Sequence, residues 1–234
     1  MKRELLGALV TAQNRKHPAV LVRGLTTGKQ CVVTRQENLG DTGDIDPVVI
    51  DAARAALDTD GAGTIEADGE RYLVQTLATA ARMLIVGAVH IAQSLIPMAR
   101  QLGYEILLID PRTAFANSER FPDIEIDNRW PDEAMRDLEL DARTAIVALS
   151  HDPKIDEPAL QAAMDSNAFY IGALGSRGNH AKRLERLAAL GYSEEQLSRV
   201  NGPIGLPLGG RSPAEIAVAI LAQVIQVRNQ PLAG

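Results

Sequence analysis

The sequence predicts an α/β fold: a doubly wound parallel sheet over residues 81–234, preceded by a small α+β domain over residues 1–80. Three observations predict it. Residues 83–86, 106–109 and 145–149 are continuous apolar runs of strand length, the pattern of strands covered on both faces. Helical stretches separate these runs, so the strands connect by crossovers and lie parallel. Before residue 82 the pattern differs: short strand segments meet at hairpin turn residues.

Composition bounds the function. A chain of 234 residues, 46% apolar and 23% charged, is long enough for a full core and is neither disordered nor collagen-like. A net charge of −6 argues against nucleic acid held by a general positive field. One Trp, four Tyr and three Phe are too few for base-stacking platforms. The single cysteine, Cys31, excludes an intramolecular disulfide and a Cys-based zinc site, and it suits a reducing cytoplasm. At the N-terminus, Glu4 interrupts the basic start, and polar Gln13-Asn14-Arg15-Lys16 follows a short apolar run, so this segment reads as a helix rather than a leader. No apolar stretch reaches the ~18 residues of a membrane span. The expected location is the cytoplasm, with no nucleic-acid or membrane partner.

The elements follow in order. Leu5, Leu6, Leu9 and Val10 share a helical face, predicting an opening surface helix. Strands near 19–22 and 31–33 flank the turn Thr26-Thr27-Gly28-Lys29. The polar residues 36–46 suit a surface connection or functional loop. Asp46 as N-cap and Pro47 at N1 open a helix to about residue 57, broken by 58–63. Asp68-Gly69 turns a second hairpin between 64–67 and 70–77. In the second domain, helices are expected over 90–101, 131–138, 157–164, 178–190, 193–199 and 213–228. Short strands are expected near 124–126 and 169–171. Ser193 with Gln196, and Ser212 with Glu215 behind Pro213, form capping boxes. The helix 213–228 carries apolar residues on more than one face, a weak pointer to a homodimer that burial against the sheet would also explain.

Ligands in such sheets bind outside the carboxyl ends of the strands. After the first buried run stands Gly87-Ala88-Val89-His90-Ile91-Ala92, where a Gly-x-Gly-x-x-Gly turn belongs, with Val89 at the second glycine. It is either a phosphate or cofactor cradle at a helix start, or a tight turn that binds nothing. Asp110 ends the next strand at the offset of a ribose-binding acid, and Arg112 could pair with a phosphate; alternatively Asp110-Pro111 only starts a turn. His151 stands where it could contact a ligand, while Ser150-His151-Asp152-Pro153 could equally cap the next helix. Gly175, Ser176 and Arg177 offer an anion site on a helix start, or a capped helix with Arg177 solvated. The glycine-lined loop ending in Arg211 could complete the same pocket or be a turn. The run 180–186 reads as a solvated helix face. Cys31 reads as buried and inert. No Ser-His-Asp order, HExxH or clustered metal spacing is present, so neither a catalytic nor a metal-ligating residue is named.

From residue 82 onward the chain resembles the C-terminal Rossmann-like domain of the XdhC/CoxI family, accessory proteins of molybdenum hydroxylases such as xanthine and carbon monoxide dehydrogenases. The stretches that carry the resemblance are Gly87-Ala88-Val89-His90-Ile91-Ala92-Gln93, Asp110-Pro111-Arg112-Thr113-Ala114-Phe115-Ala116 and Glu119-Arg120-Phe121-Pro122. They continue in Ser150-His151-Asp152-Pro153-Lys154-Ile155-Asp156, Tyr170-Ile171-Gly172-Ala173-Leu174-Gly175-Ser176-Arg177, Gly202-Pro203-Ile204-Gly205-Leu206 and Arg211-Ser212-Pro213-Ala214-Glu215-Ile216-Ala217. The resemblance implies a maturation chaperone, not a conventional enzyme. It would bind the molybdenum cofactor (molybdopterin, or its dinucleotide form), assist its insertion or sulfuration, and serve an apo molybdenum hydroxylase, with a cysteine desulfurase as a further partner. Two departures stand out. Val89 replaces a glycine that family members often carry, and Gly28-Lys29-Gln30-Cys31 does not match the family's N-terminal Gly-Gly-Cys motif, which suggests a short subtype. The alternatives are an NAD(P)-dependent oxidoreductase and a non-catalytic protein-binding module with a decayed nucleotide site.

Overall fold

The computed structural model describes residues 2–14, 17–58, 61–77, 80–138 and 140–229. The chain divides into two compact units, Met1–Ala80 and Ala81–Gly234.

In the first unit a five-stranded antiparallel sheet has the order β3-β2-β1-β5-β4. Its strands are β1 (Ala19–Gly24), β2 (Gln30–Val33), β3 (Asn38–Gly40), β4 (Ala62–Ala67) and β5 (Glu70–Leu77). Alternation along β1 and β2 sends Val20, Val22, Cys31 and Val33 to one face, where helix α2 (Pro47–Ala55) covers them with Val49, Ile50 and Ala53. Ala19 and Val32 face helix α1 (Arg3–Asn14) on the other side. Two expectations change here. Leu5, Leu9 and Ala12 form the buried stripe of α1, while Leu6 and Val10 are exposed. The spacing of 5, 9 and 12 runs along one line of the helix, and residues 6 and 10 sit about 100° around from it. The polar stretch 36–46 is also more ordered than a loop, since β3 pairs with β2 within it and a 3-10 turn follows at Thr42–Asp44. The break at 58–63 falls partly on residues 59 and 60, outside the described residues.

In the second unit the sheet is parallel, six-stranded and ordered β11-β10-β9-β6-β7-β8. The strands are β6 (Arg82–Val86), β7 (Glu105–Ile109), β8 (Glu125–Asp127), β9 (Thr144–Ala148), β10 (Tyr170–Ala173) and β11 (Val200–Asn201). Read within the unit this is 6-5-4-1-2-3, the Rossmann order, with its switch point between β6 and β9. Met83, Ile85, Ala145 and Val147 pack under α3 (His90–Gln101) and α8 (Pro213–Arg228). Leu84, Val86, Ile146 and Ala148 pack under α4 (Pro131–Arg136), α5 (Pro153–Met164) and α6 (Arg177–Ala189). Each fully buried Leu or Ile in these layers contributes about 1.5–3 kcal/mol. A short helix, α7 (Glu194–Ser198), and α8 both carry the expected capping boxes.

Three details depart from expectation. β11 has only two residues, too few to show a pattern. α5 begins at Pro153 because Asp152 caps it, accepting from the Lys154 amide. Arg183, part of a charged run that reads as a solvated helix face, is buried with 7% of its surface exposed, because α6 packs that side toward Asp156 at a distance of 3.9 Å.

Candidate functional site

Register brings the strand ends level. Val86 pairs with both Ile109 and Ala148, and Ala148 with Ala173. Gly87, Asp110, Ser150 and the Gly175 turn therefore line one edge of the sheet. Adjacent strands are ~4.8 Å apart, so the Gly87 turn and the Gly175 turn stand about 10 Å apart across β9.

The β6 turn is tight. Gly87 has φ 112°, and a Cβ there would sit 2.7 Å from the Ser150 amide nitrogen, so the position needs glycine. Val89 then occupies the N-cap of α3 without a side-chain cap, leaving the first-turn amides of that helix to other acceptors. His90 opens α3 and is exposed.

Asp110 locks this turn from the neighbouring strand. It is 0% exposed. Its Oδ2 accepts from the Ala88 amide at 2.7 Å and from Arg112 Nη2 at 2.7 Å. Its Oδ1 accepts from the Arg112 amide and Nε, both at 2.9 Å. Burial pushes this carboxyl up, but the bonds from Arg112 and Ala88 outweigh it and hold it below the ordinary carboxylate value. Asp110 thus fixes the turn rather than presenting oxygens to a ribose, and Arg112 is committed to the same pair.

Beyond Asp110, residues 111–124 fold back over the turn. Arg120 Nη1 donates to the carbonyls of Ala88, at 3.1 Å, and Phe115, at 2.8 Å. Asn128 Nδ2 donates to the Asp110 carbonyl at 2.9 Å. The Phe115 ring, 48% exposed, has the guanidinium groups of Arg112 and Arg120 5.0 and 5.8 Å from its centroid. With Ala88, Val89 and His90, these three side chains line a cleft of about 400 Å³. An aromatic ring beside the Arg120 guanidinium, which bonds backbone carbonyls, and beside uncapped helix amides can hold a planar, anionic molecule.

The other expected residues are placed differently. Ser176 caps α6, accepting from the Asn179 amide at 3.2 Å. Gly175 has φ 144°. Arg177 is exposed at the start of α6 and lines neither this cleft nor the one that holds His151. Arg211 is exposed, and its amide donates to Glu215 within the α8 capping box. Its loop is tied to α8 by Gln223, whose Oε1 accepts from the Gly205 amide at 2.8 Å. His151 adopts φ 62° and is exposed on the β9–β10 side. The strand ends therefore bring together Gly87, His90, Asp110 and Arg112, and they leave Arg177 and Arg211 outside. Sequence reasoning assigned no role to Phe115 and Arg120. The only local signal was the cluster of an aromatic and two arginines over 112–120, within a loop that has no periodicity.

Among the described residues no three His, Cys, Asp or Glu side chains come together as metal ligands, and no helix is long and apolar enough to cross a membrane. Cys31 lies in the core of the first unit, where burial and the Asp41 charge push its thiol up to about 11.

Comparison with known proteins adds to this geometry. The chain is 31% identical over 147 residues to the molybdenum cofactor insertion chaperone PaoD of Escherichia coli K12, covering 63% of this chain and 40% of that protein. It is 27% identical over 158 residues to a probable xanthine dehydrogenase subunit of Bacillus subtilis 168, covering 67% and 46%. The chain thus spans less than half the length of these curated relatives. A crystal structure described as a xanthine dehydrogenase from Bacillus halodurans shares the fold at a TM-score of 0.71 and 22% identity, over 99% of this chain and 66% of that one. The family model of the XdhC Rossmann domain matches residues 83–224, the whole run from β6 into α8 that carries the strand-end cleft, and the chain belongs to the XdhC family.

Proposed function

We propose that the chain carries the molybdenum cofactor as cargo and passes it to an apo molybdenum hydroxylase of the xanthine or carbon monoxide dehydrogenase type, in the cytoplasm. The observation that carries this reading is the cleft in which Phe115, with Arg112 and Arg120 against its ring, lies beside the uncapped start of α3. A pterin is planar and polar, and molybdopterin ends in a phosphate, so its rings suit the Phe115 ring and its charge suits Arg120 and the α3 amides. The name of the PaoD relative supports the same cargo, and that of the Bacillus subtilis relative the same class of recipient. The grip is on the organic part of the cofactor. Cys31, with its thiol raised to about 11, stays protonated near neutrality and is a poor ligand for molybdenum.

An NAD(P)-dependent oxidoreductase would draw on the strand order. Asp110 weighs against it, because its oxygens are already taken by Ala88 and Arg112. The test is protein purified from a cofactor-producing host, assayed for oxidised pterin fluorescence and for molybdenum. Wild type is expected to carry pterin, and Arg120→Ala, which releases the Phe115 loop, to bind about tenfold more weakly, equivalent to ~1.4 kcal/mol. Wild type without pterin, or saturable binding of NAD or NADP in its place, would overturn the proposal.

A further inference from the structure

We infer that the cleft between the β9 exit and α6 is a second site, built to take a phosphate monoester. It has a volume of about 200 Å³ and is lined by, among others, His151, Asn179, Lys182, Arg183 and Arg186. It lies on the opposite side of the β6–β9 switch point from the Phe115 cleft.

Arg183 carries the argument. It is more than nine-tenths buried, lines this cleft, and donates Nη2 to the Leu174 carbonyl at 2.9 Å. Among the described residues its nearest carboxylate is that of Asp156, with Nη2 and Oδ2 3.9 Å apart, too far for a hydrogen bond. Arg183 Nη1 and Asp156 Oδ2 are both buried without a hydrogen-bond partner. Buried donors left unpaired are rare and costly in folded proteins, and a missing ligand is one physical cause.

The surroundings select an anion. Arg186 is matched by Glu157, at 2.5 and 2.8 Å. Asp156 is only 1% exposed and does not line the cleft; its burial outweighs its bonds from Ser150 and raises its carboxyl. Lys182 and Arg183 then leave the cleft positive, and His151 and Asn179 add polar groups at its wall. Two cations and a cavity of this size suit a tetrahedral dianion better than a single carboxylate. The group can come from the cargo proposed above, since molybdopterin ends in a phosphate monoester, or from an independent phosphorylated metabolite. The site itself stands without that cargo.

The experiment is titration of the full chain with inorganic phosphate, followed by calorimetry and phosphorus NMR line width. Wild type is expected to bind, and Lys182→Glu to weaken binding about tenfold or more. Arg54→Glu, an exposed charge reversal on α2, is expected to keep wild-type affinity. Arg183→Gln is expected to abolish binding; should it fail to fold, Lys182→Glu alone decides. Absence of phosphate binding, or equal affinity in wild type and Lys182→Glu, would overturn the site. Phosphate that competes with molybdopterin assigns the site to the cargo, and phosphate that binds without competing assigns it to a separate ligand; both keep it. Phosphate binding without pterin binding would remove the proposed cargo and leave this site. Pterin binding with phosphate indifferent to Lys182 would remove this site alone.

Discussion

Two Asp–Arg pairs, each with a buried carboxyl group, are built in opposite ways: Asp110 follows β7, and Asp156 lies on α5 opposite Arg183 of α6. Asp110 is saturated by four N–H donors from Ala88 and Arg112 at 2.7–2.9 Å, while Arg112 keeps 34% of its side chain in solvent. Asp156 is as deeply buried, but its partner Arg183 is buried too, stands 3.9 Å away, and each keeps one atom unpaired. The carboxyl groups respond accordingly. Bonds outweigh burial at Asp110 and lower its pKa, whereas burial outweighs bonds at Asp156 and raises it. The glycines repeat the contrast. A Cβ on Gly87 would meet Ser150 backbone at 2.7 Å, while one on Gly175 would meet nothing closer than 3.6 Å. The Asp110 pair is saturated and the Gly87 turn closely packed, whereas the Asp156 pair keeps unspent hydrogen-bonding capacity and the Gly175 turn has room.

The sharpest way to break this comparison is Asp110→Ala. Removing one partner of a saturated buried pair, and leaving the Ala88 amide unpaired, is expected to cost about 3–5 kcal/mol in urea unfolding at neutral pH. A loss below about 1 kcal/mol would show that the lock is not structural. Gly87→Ala comes next, at about 2–4 kcal/mol, from positive-φ strain plus the clash with Ser150. Gly175→Ala, with the same sign of φ but open space, is expected to cost only about 1–2 kcal/mol. If thermal unfolding ranks these two glycines equally, the difference between the exits is not one of packing.

The smallest effect is expected for Asp156→Asn, within about 1 kcal/mol at neutral pH, because asparagine keeps an oxygen for the Ser150 amide and hydroxyl. Its pH dependence sharpens the comparison further. Asp110, lowered on folding, stabilises above the usual carboxylate value of 3.8, and that stability is lost as pH falls through its folded pKa. Asp156, raised on folding, stabilises below 3.8, and that stability is lost as pH rises through its folded pKa. The cost of Asp110→Ala should therefore shrink in acid, while Asp156→Asn should improve relative to wild type as pH rises toward neutrality. Urea midpoints for both variants at about pH 3.5 and about pH 7 measure this. Parallel shifts for the two variants would mean that the two carboxyls are not opposed.

Much of this was legible in the chain. The runs 83–86, 106–109 and 145–149 read as buried strands because covered faces leave no polar alternation to confuse them. Asp-Gly at 68–69 and the capping boxes at Ser193 and Ser212 act within four residues and were visible for that reason. Asp110 and Arg112 stand out in the sequence, and their two-residue spacing allows them to bond, but the sequence leaves open whether they face a ligand or each other. The opening helix showed which residues were apolar without showing which of Leu5 and Leu6 would meet the sheet.

What the sequence determined alone is local: element types, turns, caps, and the list of residues delivered to the strand ends, all set by interactions over a few residues. Tertiary structure decided the partners. Arg120 reaches back 32 residues to Ala88 to close the Phe115 cleft. Arg183 is buried by a helix whose charged run reads as solvated, next to an aspartate 27 residues earlier in the chain. Arg177 and Arg211, equally prominent in the sequence, stay outside both clefts. The physical reason is that charge and periodicity state what a side chain can bond, while strand order and helix packing set which groups come within the ~3 Å where bonding occurs.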